Sequence, residues 1–158
     1  MEIDALVHAV QSLNAEDAFR ARLSLEQWRT VAPYLARYEI RARAPLIEQG
    51  DRDRSLYFLQ SGTLQIFVKA AAGESPAPSR VAILRPGGVC GEPGLFGDTP
   101  RAANVEAIVP SVVWALRGPR MEELAQRSPA LALELLRAAG AVMVVRMRAA
   151  MAHQAPML

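Results

Sequence analysis

Between residues 38 and 117 the chain breaks into short apolar or alternating segments punctuated by Gly, Pro and Asp, and this stretch limits the possible folds more than any other. Segments 56–59, 64–68, 81–84, 105–109 and 112–116 read as strands, and their spacing predicts an antiparallel β-roll or jelly-roll barrel. On either side the pattern becomes helical. Ile3, Leu6, Val7 and Val10 recur at helical spacing, and Ser24 opens a second helix with Gln27 as its reciprocal cap, disturbed near its end by Pro33. After the strands, Gly118-Pro119 starts a short helix reaching about Gln126. Ser128-Pro129 then restarts the chain as a long helix, with Ser128 as cap and Pro129 in the first turn. The expected fold is mixed α+β: a β-roll over residues 37–117, an N-terminal helical region over 1–36, and C-terminal helices over 118–154 belonging to the same domain. With 158 residues, 51% of them hydrophobic, one domain can build a substantial core. Residues 70–79, rich in Ala, Ser and Pro, form the expected tip between two strands.

The long helix carries two apolar stripes. Leu131, Leu135, Ala138, Val142, Val145, Ala149 and Ala152 alternate by four and three, the spacing of a coiled-coil seam, while Leu133, Leu136, Ala139, Met143, Met147 and Ala150 make a second face. A surface helix ordinarily shows a single stripe. One face is therefore expected on the barrel and the seam on a twin, giving a homodimer through the C-terminal helix.

Residues 90–103, CGEPGLFGDTPRAA, combine groups suited to one anionic, hydroxyl-bearing small molecule. Gly91 permits close backbone approach, Glu92 can accept hydrogen bonds from sugar hydroxyls, and Pro93 suits the first position of a short helix whose amides would face an anion. Arg101 supplies a planar cationic fork matching phosphate oxygens, while Ala102 and Ala103 leave room against the backbone. Taken singly these residues have plainer uses: Gly91 and Gly94 could shape a turn, Glu92 could cap a helix, and Arg101 could pair with Glu106 or Asp98.

Taken together they resemble the phosphate-binding cassette of cyclic-nucleotide-binding domains, as in catabolite activator proteins, protein kinase A regulatory subunits and cyclic-nucleotide-gated channels. Gly91, Glu92, Leu95, Pro100, Arg101, Ala102 and Ala103 are identical to the pattern Phe-Gly-Glu-Leu-Ala-Leu-Leu, three variable residues, Pro-Arg-Ala-Ala; Cys90, Pro93 and Gly94 depart from it. A second match, residues 46–62, is similar to the hairpin that leads the same family's fold: a Gly50-Asp51 turn, then Tyr57-Phe58-Leu59, closed by Gly62. The resemblance implies that Glu92 holds the ribose 2′-hydroxyl and that Arg101, with amides near Gly94, Leu95 and Ala103, holds the cyclic phosphate. The long helix would cover the base, to which Arg137 could reach. Ala102 stands where a threonine in the family often accompanies preference for cyclic GMP, so cyclic AMP (cAMP) is the expected ligand, with cyclic GMP possible.

Other function classes fit poorly. One cysteine, Cys90, and two distant histidines, His8 and His153, do not make a metal-ligand set, and no nucleophile, base and orienting acid stand at recognisable spacing. No enzyme is expected. A formal charge of +2, spread without a basic run, does not suggest nucleic acid. The longest apolar run, residues 138–145, falls short of the ~18 residues that suggest a membrane span, and the amino terminus lacks a signal-peptide pattern. A cytoplasmic location is expected. Cys90 is expected to pack as a small apolar residue, although a neighbouring helix start could lower its thiol pKa. The implied role is a regulatory sensor; with no room for a DNA-binding helix-turn-helix after the long helix, it is expected either to act on an effector protein in trans or to be a fragment of something larger, and the alternative function is a ligand-free scaffold for dimerisation or docking.

Overall fold

Strand β3 (Leu56–Ser61) has four consecutive buried side chains, which a strand can satisfy only when both its faces are covered. A computed structural model describing residues 1–69 and 79–154 shows how. Two four-stranded antiparallel sheets face each other. One orders β1 (Ala36–Ile40), β8 (Ser111–Leu116), β3 and β6 (Val89–Cys90); the other orders β2 (Pro45–Ile47), β7 (Asn104–Ala107), β4 (Leu64–Val68) and β5 (Ser79–Leu84). Because successive side chains on a strand point to opposite faces, Tyr57 and Leu59 of β3 enter the space between the sheets. There they join Val113 and Ala115 of β8, Leu64, Val105 and Cys90. Leu56 and Phe58, with Trp114 and Leu116, face the other way into a helical layer.

That layer consists of α1 (Ile3–Ser12), α2 (Leu25–Val31), α4 (Gly118–Arg127) and α5 (Pro129–Gln154). All four residues of the expected α1 stripe are buried. Ser24 and Gln27 form the reciprocal capping box at α2, and Pro33 falls in a 3₁₀ turn that ends it. Phe19, in the segment between α1 and α2, meets Phe58 edge to face at 5.1 Å, and Trp28 meets Phe58 at 5.9 Å. The architecture is the mixed α+β roll with N-terminal helices and a long C-terminal helix. The expected strands are present; β1, β2 and β6 were not anticipated. The expected tip lies, for residues 70–78, outside the described residues.

The long helix is oriented differently from the sequence expectation. Its buried residues are Ala132, Leu135, Ala138, Ala139 and Val142, all in the cluster with Val10, Phe19 and Trp28. Leu135, Ala138 and Val142 of the proposed dimer seam therefore pack inside their own chain. Leu133, Val144 and Met147 are the large apolar residues left exposed, at 68%, 48% and 54%.

Candidate functional site

Strand β6 ends at Gly91, where the chain takes φ +83° before the four-residue helix α3 (Pro93–Phe96). Only glycine fits there for two reasons: the left-handed backbone, and a Cβ that would lie 2.6 Å from the Ser55 carbonyl oxygen. Pro93 occupies the first turn of α3, as expected. The amides of Gly94 and Leu95, expected to face an anion, donate within the turn to the carbonyls of Gly91 and Glu92, each at 3.1 Å. Leu95 turns its side chain to the helical core, while Phe96 reaches toward α5 over Gly140, whose missing Cβ would stand 3.6 Å from the ring.

Arg101 lies 7% exposed on the pocket floor. Its backbone closes a ladder with the leading hairpin: the Gly50 amide donates to Arg101 O at 2.8 Å and the Arg101 amide donates to Asp51 O at 2.6 Å. This is the physical link between the two sequence motifs. The guanidinium donates from Nη1 to Gly91 O at 2.8 Å and from Nη2 to Ser55 O at 2.6 Å. Its carboxylate neighbour is Asp53, 3.6 Å from Nη2, rather than Glu106 or Asp98. Buried Nε has no hydrogen-bond partner among the described residues. A Cβ on Gly94 would come within 2.9 Å of Nη1, so that glycine clears the space the arginine fills.

Asp53 and Ser55 were not singled out from the sequence, and Tyr57 entered only as part of the hairpin match, with no role at the site. Tyr57 Oη donates to Asp53 Oδ2 at 2.7 Å and the Ser55 amide donates to Oδ1 at 3.1 Å. Burial works against the Asp53 charge, but these bonds and the Arg101 cation hold its carboxyl below the usual range. Burial, then the neighbouring Asp53, pushes the Tyr57 phenol upward.

Glu92, 6% exposed, accepts from Arg146 Nη1 of α5 at 3.0 Å, and Arg146 Nε donates to Asp17 at 3.0 Å. Arg146, Ala149 and Ala150 roof a cavity of about 500 Å³ over the cassette. Gly91, Glu92, Gly94, Arg101, Ala102 and Ala103 line it, Leu95 does not, and its far wall is apolar, from Ile47, Ile66, Leu84 and Val105. A larger, more open groove runs along β2, β4 and β7; it shares Ile47 and Val105 with the cavity, and Arg101 does not line it. Arg137 is directed away from the cavity: it pairs with Glu134 and donates to Arg20 O at 3.1 Å, because its helix position faces the N-terminal segment. Cys90 is buried, and burial together with the Glu92 charge pushes its thiol up to about 12, overriding Arg146 and Arg101, in the direction opposite to the lowering a helix start would bring. Among the described residues, no cluster of three or more His, Cys, Asp or Glu side chains could hold a metal, and no helix is long and apolar enough to cross a membrane.

A glycine turn, a buried arginine and a buried glutamate meet around one cavity on a β-roll, and comparison with known proteins gives the family. The sequence model for the cyclic nucleotide-binding domain matches residues 37–128, more than half of the chain, and the chain belongs to that family. It is 32% identical over 102 residues to a cAMP-dependent protein kinase regulatory subunit of Aspergillus fumigatus, covering 61% of this chain and 25% of the relative. With that of Dictyostelium discoideum it shares 34% over 96 residues, covering 60% and 28%. The chain thus spans about a quarter of the length of these curated relatives. Among solved structures it is similar to a cyclic nucleotide-binding domain from Methylobacillus flagellatus, with TM-score 0.81 and 18% identity, covering 99% of this chain and 84% of that one. The catabolite activator protein of Thermus thermophilus has TM-score 0.69 at 27% identity, covering 82% and 57%.

Proposed function

We propose that the cavity over the cassette binds a cyclic nucleotide, cAMP in preference to cyclic GMP, and that the domain is a regulatory sensor acting on an effector protein. The observation that carries the reading is Arg101: a buried cation on the cavity floor, with one N–H unpartnered and its nearest carboxylate at 3.6 Å, suits an anion. In this reading Arg101 holds the cyclic phosphate beside Gly94 and Ala103, and Glu92 accepts the ribose 2′-hydroxyl. The base lies under Ala149 and Ala150. Ala102 offers no hydroxyl to a guanine amino group and the far wall is apolar, so cAMP binds at least as tightly as cyclic GMP. The relatives' description as cAMP-dependent protein kinase regulatory subunits supports both the ligand and a signalling role, and a cytoplasmic location belongs to the same proposal. A homodimer through α5 remains part of the proposal, with its contact moved to the face of Leu133, Val144 and Met147.

Calorimetric titration of the purified chain with cAMP and cyclic GMP tests this, together with thermal shift. Ligand at 100 times its dissociation constant stabilises the fold by about 2.7 kcal/mol. A second reading, a ligand-free scaffold, is favoured by the engaged Gly94 and Leu95 amides and by Arg146 already seated on Glu92. No heat and no shift at millimolar nucleotide selects the scaffold.

A further inference from the structure

Residues 17–22, which precede α2, run along α5 as an antiparallel strap. The Arg22 amide donates to Glu134 at 2.6 Å, Arg137 donates to Arg20 O at 3.1 Å, and Arg146 donates to Asp17 at 3.0 Å. The geometry is consistent: helix positions 134 to 146 span about 18 Å, and five extended residues from 17 to 22 reach about 17 Å. The strap is fixed beneath as well, because Ala18 and Phe19 follow Asp17 directly into the core at 8% and 1% exposure. Asp17 is thereby a fixed post at the mouth of the cavity, which it lines together with Arg146.

We propose that Asp17 is a positioning residue of the ligand site, setting through Arg146 the carboxylate of Glu92 that receives the sugar hydroxyl. This rests on the cyclic-nucleotide reading above. Arginine has a long, rotamer-rich side chain, and a single contact leaves its fork free to turn. Here Nε is held by Asp17 and Nη1 by Glu92, so the two carboxylates fix the guanidinium plane between them. Glu92 gains in return a cation beside its buried charge, close to where an anionic phosphate would sit. Without Asp17 the arm is free to swing toward solvent, and Glu92 is left buried with its charge unmatched. An ordinary surface ion pair would matter little either way. The difference is that this pair ends on a 6% exposed carboxylate inside the cavity.

The test is calorimetric titration of cAMP and 2′-deoxy-cAMP into wild type, Asp17→Asn, Arg146→Met and the double variant, with thermal melts confirming that each is folded. Wild type is expected to favour cAMP over the deoxy ligand. Asp17→Asn should weaken cAMP by about 5-fold, the order of one hydrogen bond, and leave the deoxy ligand nearly unchanged. Arg146→Met should reproduce that loss, and the double variant should be no worse than Arg146→Met alone. Equal weakening of both ligands, additive losses, or wild-type affinity in Asp17→Asn overturns the positioning role while the nucleotide reading stands. Absence of binding to wild type removes that reading and this role together.

Discussion

Replacing Arg101 by alanine perturbs stability and binding at once, and the structure gives the size of the first effect. The side chain makes two charge-assisted hydrogen bonds to backbone carbonyls, at 2.8 Å to Gly91 and 2.6 Å to Ser55. Such bonds contribute about 1.5 to 3 kcal/mol each. Two features reduce the net loss. Gly91 O keeps the Gly94 amide as a second donor, and the buried cation already carries an unmade Nε bond. Asp53, which loses its cation at 3.6 Å, is half-exposed and can be hydrated. We therefore expect Arg101→Ala to cost about 3 kcal/mol, lowering Tm by about 6 to 12 °C for a chain of this size. Arg101→Lys, which keeps the charge but cannot span both carbonyls, should lose less than half of that. Urea denaturation gives the free energy and titration with cAMP the affinity, measured at a temperature where each variant is folded. Binding should vanish in the alanine variant and survive weakly in the lysine one. Arg101→Ala unfolding at the wild-type midpoint would refute the brace across Gly91 and Ser55; unchanged affinity would refute the phosphate assignment.

Val142 is 1% exposed in the core, so Val142→Glu should cost at least about 4 kcal/mol in denaturant titration, as expected of an unpaired charge in an apolar interior. Met147→Glu, on the exposed face, should leave monomer stability within about 0.5 kcal/mol and reduce the light-scattering mass if α5 forms the dimer. The Glu134 carboxyl is held down to about 2, chiefly by Arg137 and also by the Arg22 amide. Its folded pKa lies below its ordinary value near 4.5, so its contribution is present above about pH 5 and lost as pH falls toward 2. Glu134→Gln should flatten the acid limb of the melting curve over that window. Cys90 should resist a disulfide reagent at pH 8 in the folded protein and react fully in denaturant, because its thiol is buried and pushed up to about 12.

Local chemistry was legible in the sequence where one neighbourhood decides the outcome. The α1 stripe lies within one short helix and the Ser24–Gln27 box within a single turn, and Gly91 is demanded by its own backbone angle. Strand β1 was illegible because it lies at a sheet edge with Arg37, Tyr38 and Glu39 all exposed, leaving no alternation to read. Strand β6 is only two residues long. The choice between the faces of α5 depended on α1 and Phe19 arriving from the other end of the chain, since two apolar stripes, one of Leu, Ala and Val and the other of Leu, Ala and Met, fit either way. The site divides in the same manner. Its cassette is contiguous, whereas the groups that hold its charges, Asp53 beneath Arg101 and Asp17 behind Arg146, are brought in by tertiary contacts across as many as 129 positions.

The buried residues of α5 end at Val142, whereas its roof over the cavity begins at Arg146. Gly140, about 1 kcal/mol poorer than alanine as a helix former, stands near the boundary. The packed half of the helix is therefore held chiefly by apolar burial, and the covering half by the Arg146 ion pairs. If a ligand occupies that cavity, its entry and escape should be timed by opening of the last turns, a local event expected to leave the core closed. Changes at Arg146 or Gly140 then alter the residence time of a ligand, and changes at Leu135 or Val142 the lifetime of the fold, so the two clocks can be set independently.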